Sequence, residues 1–119
     1  MNASEIIGAL GALAHEHRLA AFRLLVERGP AGLNAGKIAE RIGLVPSSLT
    51  FHLQNLQRAG LITRRREGRQ LIYATDFNAI HELLGYLTKN CCAEDGSDCG
   101  VACVPIPSAK PGPRKNKAA

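Results

Sequence analysis

Three features of this 119-residue sequence predict a mainly α fold carrying one β-hairpin. Apolar residues recur at helical spacing in several segments, most clearly as Leu49, Leu53 and Leu56. Residues 35–42 and 46–59 read as helix, short turn, helix. Directly after them, between Leu61 and Thr75, the apolar period switches to two. A helix-turn-helix followed by such a hairpin is the winged helix-turn-helix arrangement.

The first helix is expected over residues 4–14, with Ile6, Leu10 and Leu13 on one stripe behind Ser4 as the cap. Gly8, Ala9, Gly11 and Ala12 let another helix approach closely, which suits packing on something large such as a second subunit. The next helix spans about Glu16 to Arg28, with Leu19, Phe22 and Val26 inward, Leu24 and Leu25 alongside, and Gly29-Pro30 as the stop. His15 and His17 sit at the join. Their i, i+2 spacing does not turn both rings one way on a helix, so turn or capping duty is favoured over a metal pair.

Asn34 is placed to cap a third helix from Ala35 to Ile42, with Ile38, Ala39 and Ile42 inward and Gly43 as its stop. Leu44 and Val45 turn the chain into the helix that the rest of the sequence presents. Pro46 suits its first position and Gly60 the residue past its end. Val45, at the N-cap, lacks the oxygen that would stabilise by about 1 kcal/mol. Opposite its leucine stripe this helix shows Ser47, Ser48, Thr50, Phe51, Gln54 and Arg58, with Asn55 at the margin. Hydroxyls, amides, an arginine and an aromatic ring are the groups that meet base edges and phosphates.

The hairpin is expected as Leu61–Arg66 and Arg69–Ala74 joined at Glu67-Gly68. Arg64, Arg65, Arg66 and Arg69 crowd its tip. Such a tip is either a solvated edge protected against aggregation or, following a recognition-type helix, a wing laid along a phosphate backbone. From Asp76 to Asn90 helical spacing returns, with Phe77, Ile80, Leu84 and Leu87 on one stripe. That stripe is either core or one half of a dimer interface shared with the first helix.

Charge follows the same plan. The formal net charge is +5, which favours an anionic partner. Between Ala35 and Thr75 seven basic residues face only Glu40 and Glu67, which accounts for the whole excess. No run reaches the roughly 18 consecutive apolar residues of a membrane span. Ile6–Ala14 is short, and Glu5 precedes it where a signal peptide has a basic flank, so a cytoplasmic location is expected. Three regions follow: 1–90 for DNA binding and dimerisation, 91–103 as a cysteine-rich sensing segment, and 104–119 as a disordered basic tail.

Leu10-Gly11-Ala12-Leu13-Ala14-His15 with Arg18-Leu19, then Ser47-Ser48-Leu49-Thr50-Phe51-His52-Leu53, then Ala59-Gly60-Leu61-Ile62 and the Arg-rich hairpin together resemble the ArsR/SmtB family of bacterial metal- and metalloid-responsive repressors. The resemblance covers residues 4–90. It implies a homodimer, formed through the first and last helices, on an inverted-repeat operator in double-stranded DNA. His52 matches a histidine common in the family's recognition helix; by its angle it borders the core stripe, and a structural role comes first.

The departures from the family bear on the ligand. Arsenic sensors of the best-known kind carry Cys-x-Cys on the helix before the recognition helix, yet Ala35–Ile42 has no cysteine. The family's zinc, cobalt and nickel sensors place Asp and His ligands along the last helix; here Asp76, His81 and Glu82 occur, but Asn78 stands where a histidine is expected. All four cysteines, Cys91, Cys92, Cys99 and Cys103, instead follow that helix. In a reducing compartment such a cluster suggests a thiolate site. Three soft thiolates suit a soft thiophile. The resemblance to a subgroup with such tails implies Cys91, Cys92 and Cys99 as ligands to As(III), or Sb(III) by the same chemistry, as the inducer, with no organic cofactor. Cys103 is then a spare, an exchanging ligand, or the fourth member of a zinc site.

Three alternatives stand beside this reading. Four thiolates can make a closed zinc, cadmium or lead site, although adjacent Cys91 and Cys92 fit poorly with the usual gap of about two to four residues. Cys99 and Cys103 can cycle as a redox pair. A thiol enzyme is disfavoured, because no phosphate-binding Gly loop, His-Glu-x-x-His or Gly-x-Ser-x-Gly motif is present.

Overall fold

The computed structural model describes residues 1–94; Cys99, Cys103 and the tail expected over 104–119 lie outside it. Helices α1 (Ala3–Leu13), α2 (Glu16–Arg28), α3 (Ala35–Ile42) and α4 (Pro46–Arg58) precede a hairpin, and α5 (Phe77–Thr88) closes the described chain. A short strand β1 (Leu33–Asn34) joins the hairpin strands β2 (Ile62–Glu67) and β3 (Gln70–Thr75) in an antiparallel sheet of order β1-β3-β2. The fold is the winged helix-turn-helix expected from the sequence.

The core forms where the helical stripes meet. Leu25, Ile38, Leu49, Leu53, Leu56 and Leu61 are its largest fully buried side chains. They come from α2, α3, α4 and the entry to β2, so one apolar cluster joins both helices of the helix-turn-helix to the base of the wing. Asp76 N–H donates to the Leu61 carbonyl at 2.9 Å and ties the two ends of the hairpin together.

Local chemistry sets the helix ends. Asn34 Oδ1 accepts from Lys37 N–H at 2.8 Å at the start of α3, and Gly43 ends that helix in the left-handed conformation at φ 77°. Asp76 caps α5 by accepting from Ala79 N–H at 3.2 Å. Val45, as expected, gives α4 no side-chain cap. The cap of α1 is Asn2, not Ser4. Asn2 Oδ1 accepts from Glu5 N–H while Glu5 Oε1 accepts from Asn2 N–H, a reciprocal pair that Ser4, already the second residue of the helix, does not form.

The structure corrects several other expectations. The β2–β3 register pairs Glu67 with Gln70, so the turn is Gly68-Arg69, one residue later than read, and Gly68 takes its positive φ. Strand β1 is too short to have left a period in the sequence. Leu19 is exposed; Ala21, Phe22 and Leu25 make the buried face of α2, with Val26 half-buried. On α5 the inward residues are Ala79 and Leu83, whereas Leu84, Tyr86 and Leu87 are exposed. Ile7 and Leu10 on α1 are exposed as well. Of the apolar stripe of α5, Ile80 packs against the core while Leu84 and Leu87 face outward, and α1 buries only Ile6, Ala9 and Ala12.

One glycine is required by the packing. Gly32 sits at φ 66°, ψ −172°, a region nearly closed to other residues. A Cβ there would lie 2.3 Å from the Tyr73 carbonyl oxygen of β3. Gly29, at φ 78°, has open space around the same direction. Gly32→Ala is expected to lower folding stability by about 3 kcal/mol or more. Gly29→Ala carries the backbone strain alone and costs less. Urea unfolding midpoints at unchanged slope measure both.

Candidate nucleic-acid interface

Burying Leu49, Leu53 and Leu56 completely fixes the roll of α4 about its axis. Ser47, Ser48, Thr50, Phe51, Gln54 and Arg58 consequently stand exposed, and Asn55 is half-buried at the margin. The structure brings all seven onto one helix. They are not equally available. Thr50 Oγ1 donates to the Pro46 carbonyl at 3.0 Å, and Asn55 Nδ2 donates to the Phe51 carbonyl at 3.0 Å. Arg58 Nη1 reaches Asn55 Oδ1 at 3.5 Å.

The wing divides its arginines between two tasks. Arg65 turns back to the connection between α2 and β1, donating to the Pro30 and Ala31 carbonyls at 3.1 and 2.9 Å. Its Nε also lies 2.7 Å from Glu67 Oε2. Arg65 thus braces the wing against the turn that contains Gly32. No such bond holds Arg64, Arg66 or Arg69 among the described residues, and all three are exposed near the tip. Charge patterning alone does not separate these roles, because the selecting partners are backbone carbonyls.

Behind α4 lies a cluster the sequence only hinted at. His15 caps α2, its Nδ1 accepting from His17 N–H at 3.1 Å, in the capping duty favoured for this pair. The His15 and His52 rings stand 4.5 Å apart, and His17 is 5.8 Å from His52. Arg18 Nε donates to His52 Nδ1 at 3.2 Å, and its guanidinium lies 5.9 Å from the centre of the Phe51 ring. Arg18 therefore links α2 to the exposed face of α4, a role that emerges only when the helices pack. No group of three or more His, Cys, Asp or Glu side chains among the described residues is arranged to hold a metal ion.

His52 is buried, and burial first, then the electrostatic influence of His15, Arg18 and His17 beside it, holds its pKa below the ordinary histidine value. The Arg18 hydrogen bond also needs an unprotonated Nδ1.

Residues 13–65 match a helix-turn-helix domain family. Over 86 residues the chain is 33% identical to the transcriptional activator HlyU of Vibrio cholerae, covering 70% of this chain and 77% of HlyU. The chain belongs to the ArsR family of winged helix-turn-helix transcriptional regulators. It is also 32% identical over 81 residues to the nodulation protein NolR of Rhizobium meliloti, and this match spans 68% of the chain but 64% of NolR. The solved structure of Vibrio cholerae HlyU superposes with a TM-score of 0.59 at 31% identity, over 72% of this chain and 94% of that one. An ArsR-like regulator from Rhodococcus sp. RHA1 shares the fold with a TM-score of 0.68 at 24% identity, over 77% and 84% of the two chains. This ArsR-family protein is a DNA-binding transcriptional regulator, and no helix among its described residues is long and apolar enough to cross a membrane.

Arg64→Ala is expected to weaken binding to all DNA sequences alike and to flatten the slope of log affinity against log salt by about 1. Arg65→Ala is expected instead to lower the thermal midpoint of the free protein. Fluorescence anisotropy across salt concentrations, with thermal melts, separates the two. For His52 the depressed folded pKa means that the unfolded chain takes up the proton first as pH falls. Its contribution to stability is full above about pH 6.5 and is lost as pH drops from there through the folded pKa. Wild type should lose more stability than His52→Gln between about pH 7 and pH 5.5, as read by urea titrations at each pH.

Proposed function

We propose that this protein is a repressor that binds an inverted-repeat operator as a homodimer and releases it when trivalent arsenic binds the cysteines after α5. The observation that carries this reading is the placement of Cys91 and Cys92. They follow α5 in a turn with their sulfurs 3.7 Å apart, and Asn90 and Cys92 both adopt positive φ. Two cysteine sulfurs held side by side, with Cys99 following in the sequence, offer three soft donors to one soft atom once all are reduced. The helix-turn-helix itself has no cysteine, so control from the tail is the only thiolate route in the chain.

The dimer reading rests on Ile7 and Leu10 of α1 and on Leu84, Tyr86 and Leu87 of α5, which are exposed. A second copy covering these helices would place two α4 helices about 34 Å apart, one in each of two successive major grooves. The hairpin tips would then lie along phosphates. Since the cysteines continue from α5, ordering them by ligand changes the end of a dimerising helix. Moving the operator-competent state from 99:1 to 1:99 requires about 5.5 kcal/mol of differential binding.

Thiol oxidation is the second reading. Cys92 is disulfide-bonded in this structure, and one similar solved structure is of HlyU in its reduced state. Arsenite capture needs the reduced thiols, so the two readings separate experimentally. Cys92→Ser should keep operator binding in a mobility-shift assay but lose release by arsenite. Unchanged release by that variant removes the proposed site. Parallel titrations with As(III), Sb(III), Cd(II) and Zn(II), scored for DNA release and thiol loss, assign the ligand. Release by an oxidant with no response to any of the four favours redox control.

A further inference from the structure

We infer that Phe51 is a specificity-determining residue that reads the 5-methyl group of a thymine in the major groove, with Arg18 as the residue that positions its ring. The inference deepens the operator-binding reading above and rests on it.

Phe51 lies in the middle of the exposed face of α4 and is 57% exposed. A single exposed aromatic needs no explanation on an ordinary surface. Its neighbours supply one here. Of the polar groups on this face, Thr50 spends its hydroxyl proton on the Pro46 carbonyl. Asn55 commits one of its two amide protons to the Phe51 carbonyl, and its oxygen lies toward Arg58. The bidentate amide contact to adenine that an asparagine at this margin would offer is thus compromised. Phe51 is left as the largest group at the centre of the face, between Ser47 and Gln54, which lie one turn away on either side.

The ring is also held. His52 meets it edge-on at 5.8 Å between centroids, and the Arg18 guanidinium stands 5.9 Å from its centre. Arg18 is itself fixed by its hydrogen bond to His52. A ring pinned from behind by a buried histidine and a tethered cation presents a rigid apolar surface outward. Thymine carries the apolar 5-methyl group in the major groove, and apolar side chains recognise it by contact. A single methyl taken from water corresponds to about a fourfold change in affinity.

The test uses the full-length protein. High-affinity duplexes are first selected from a random library, and each thymine of the selected half-site is then replaced singly by deoxyuridine, which lacks only the methyl. Wild type should lose about fourfold in affinity at one position of each half-site. Phe51→Ala should bind thymine and deoxyuridine there equally, while keeping the wild-type salt slope and thermal midpoint. Arg18→Gln should shrink the thymine preference at that same position and no other. Indifference of wild type to every substitution, or an equal loss in Phe51→Ala, overturns the methyl contact while operator binding stands. Failure of wild type to select any sequence overturns both.

Discussion

Everything functional in this molecule depends on the complete burial of the leucine stripe of α4. Leu49, Leu53 and Leu56 enter a cluster with Leu25, Ile38 and Leu61. Fully burying each of these side chains is worth about 1.5–3 kcal/mol. Rolling the helix by one residue would turn the stripe to water and bring Thr50 or Gln54 into the core. The roll is therefore set by packing, and the exposed polar side needs no further device to keep its direction. Because Leu61 belongs to the same cluster, the wing is referenced to the same core as the helix it accompanies.

A second constraint fixes the wing. The connection from α2 must pass beneath β3 closely enough for β1 to pair with it, with Leu33 opposite Tyr73 and Asn34 opposite Ile72. Only glycine fits at position 32, where the carbonyl of Tyr73 fills the space of a Cβ. Arg65 then bonds the carbonyls of Pro30 and Ala31, which precede that glycine. One arginine of the basic tip is thus spent on holding the other three in place. Asn34 serves twice here, as the cap of α3 and as a β1 residue whose amide reaches Gln70 Oε1 at 3.3 Å.

The order of elements, the leucine stripe and the caps at Asn34 and Asp76 were legible because periodicity and capping chemistry are local. The cap at Asn2 was legible too, since Asn2 and Glu5 have the spacing of a capping box, but Ser4 competed for it. What one chain cannot reveal is which neighbour an apolar stripe meets. Leu84 and Leu87 keep perfect helical spacing, and only the folded arrangement shows them exposed. Leu19 deceived in the same way. The histidines were readable as capping and structural residues, but their convergence with Arg18 and Phe51 joins positions 34 residues apart and has no signature in either segment. The cysteine segment was visible as composition, and only Cys91 and Cys92 fall within the described residues.

The two faces of the fold are built by opposite rules. On α4 every large aliphatic side chain is buried, and what remains outside is the small, polar and aromatic set that touches DNA in the reading offered here. On α1 and α5, Ile6 and Leu83 are buried, but Ile7, Leu10, Leu84 and Leu87 are left outside while the small Ala9, Ala12 and Ala79 are turned in. A monomer gains nothing from that second choice, since Ile7, Leu10, Leu84 and Leu87 would bury more apolar area than the alanines do. It gains if another apolar surface covers them, because each then contributes on association instead of on folding. In that arrangement the separation of the two α4 helices is set at α1 and α5, and the cysteines are attached directly to the second of these. A ligand held there would act on DNA affinity only through the difference in its binding between two arrangements of that interface. Control from the tail therefore requires no change in the core that orients α4.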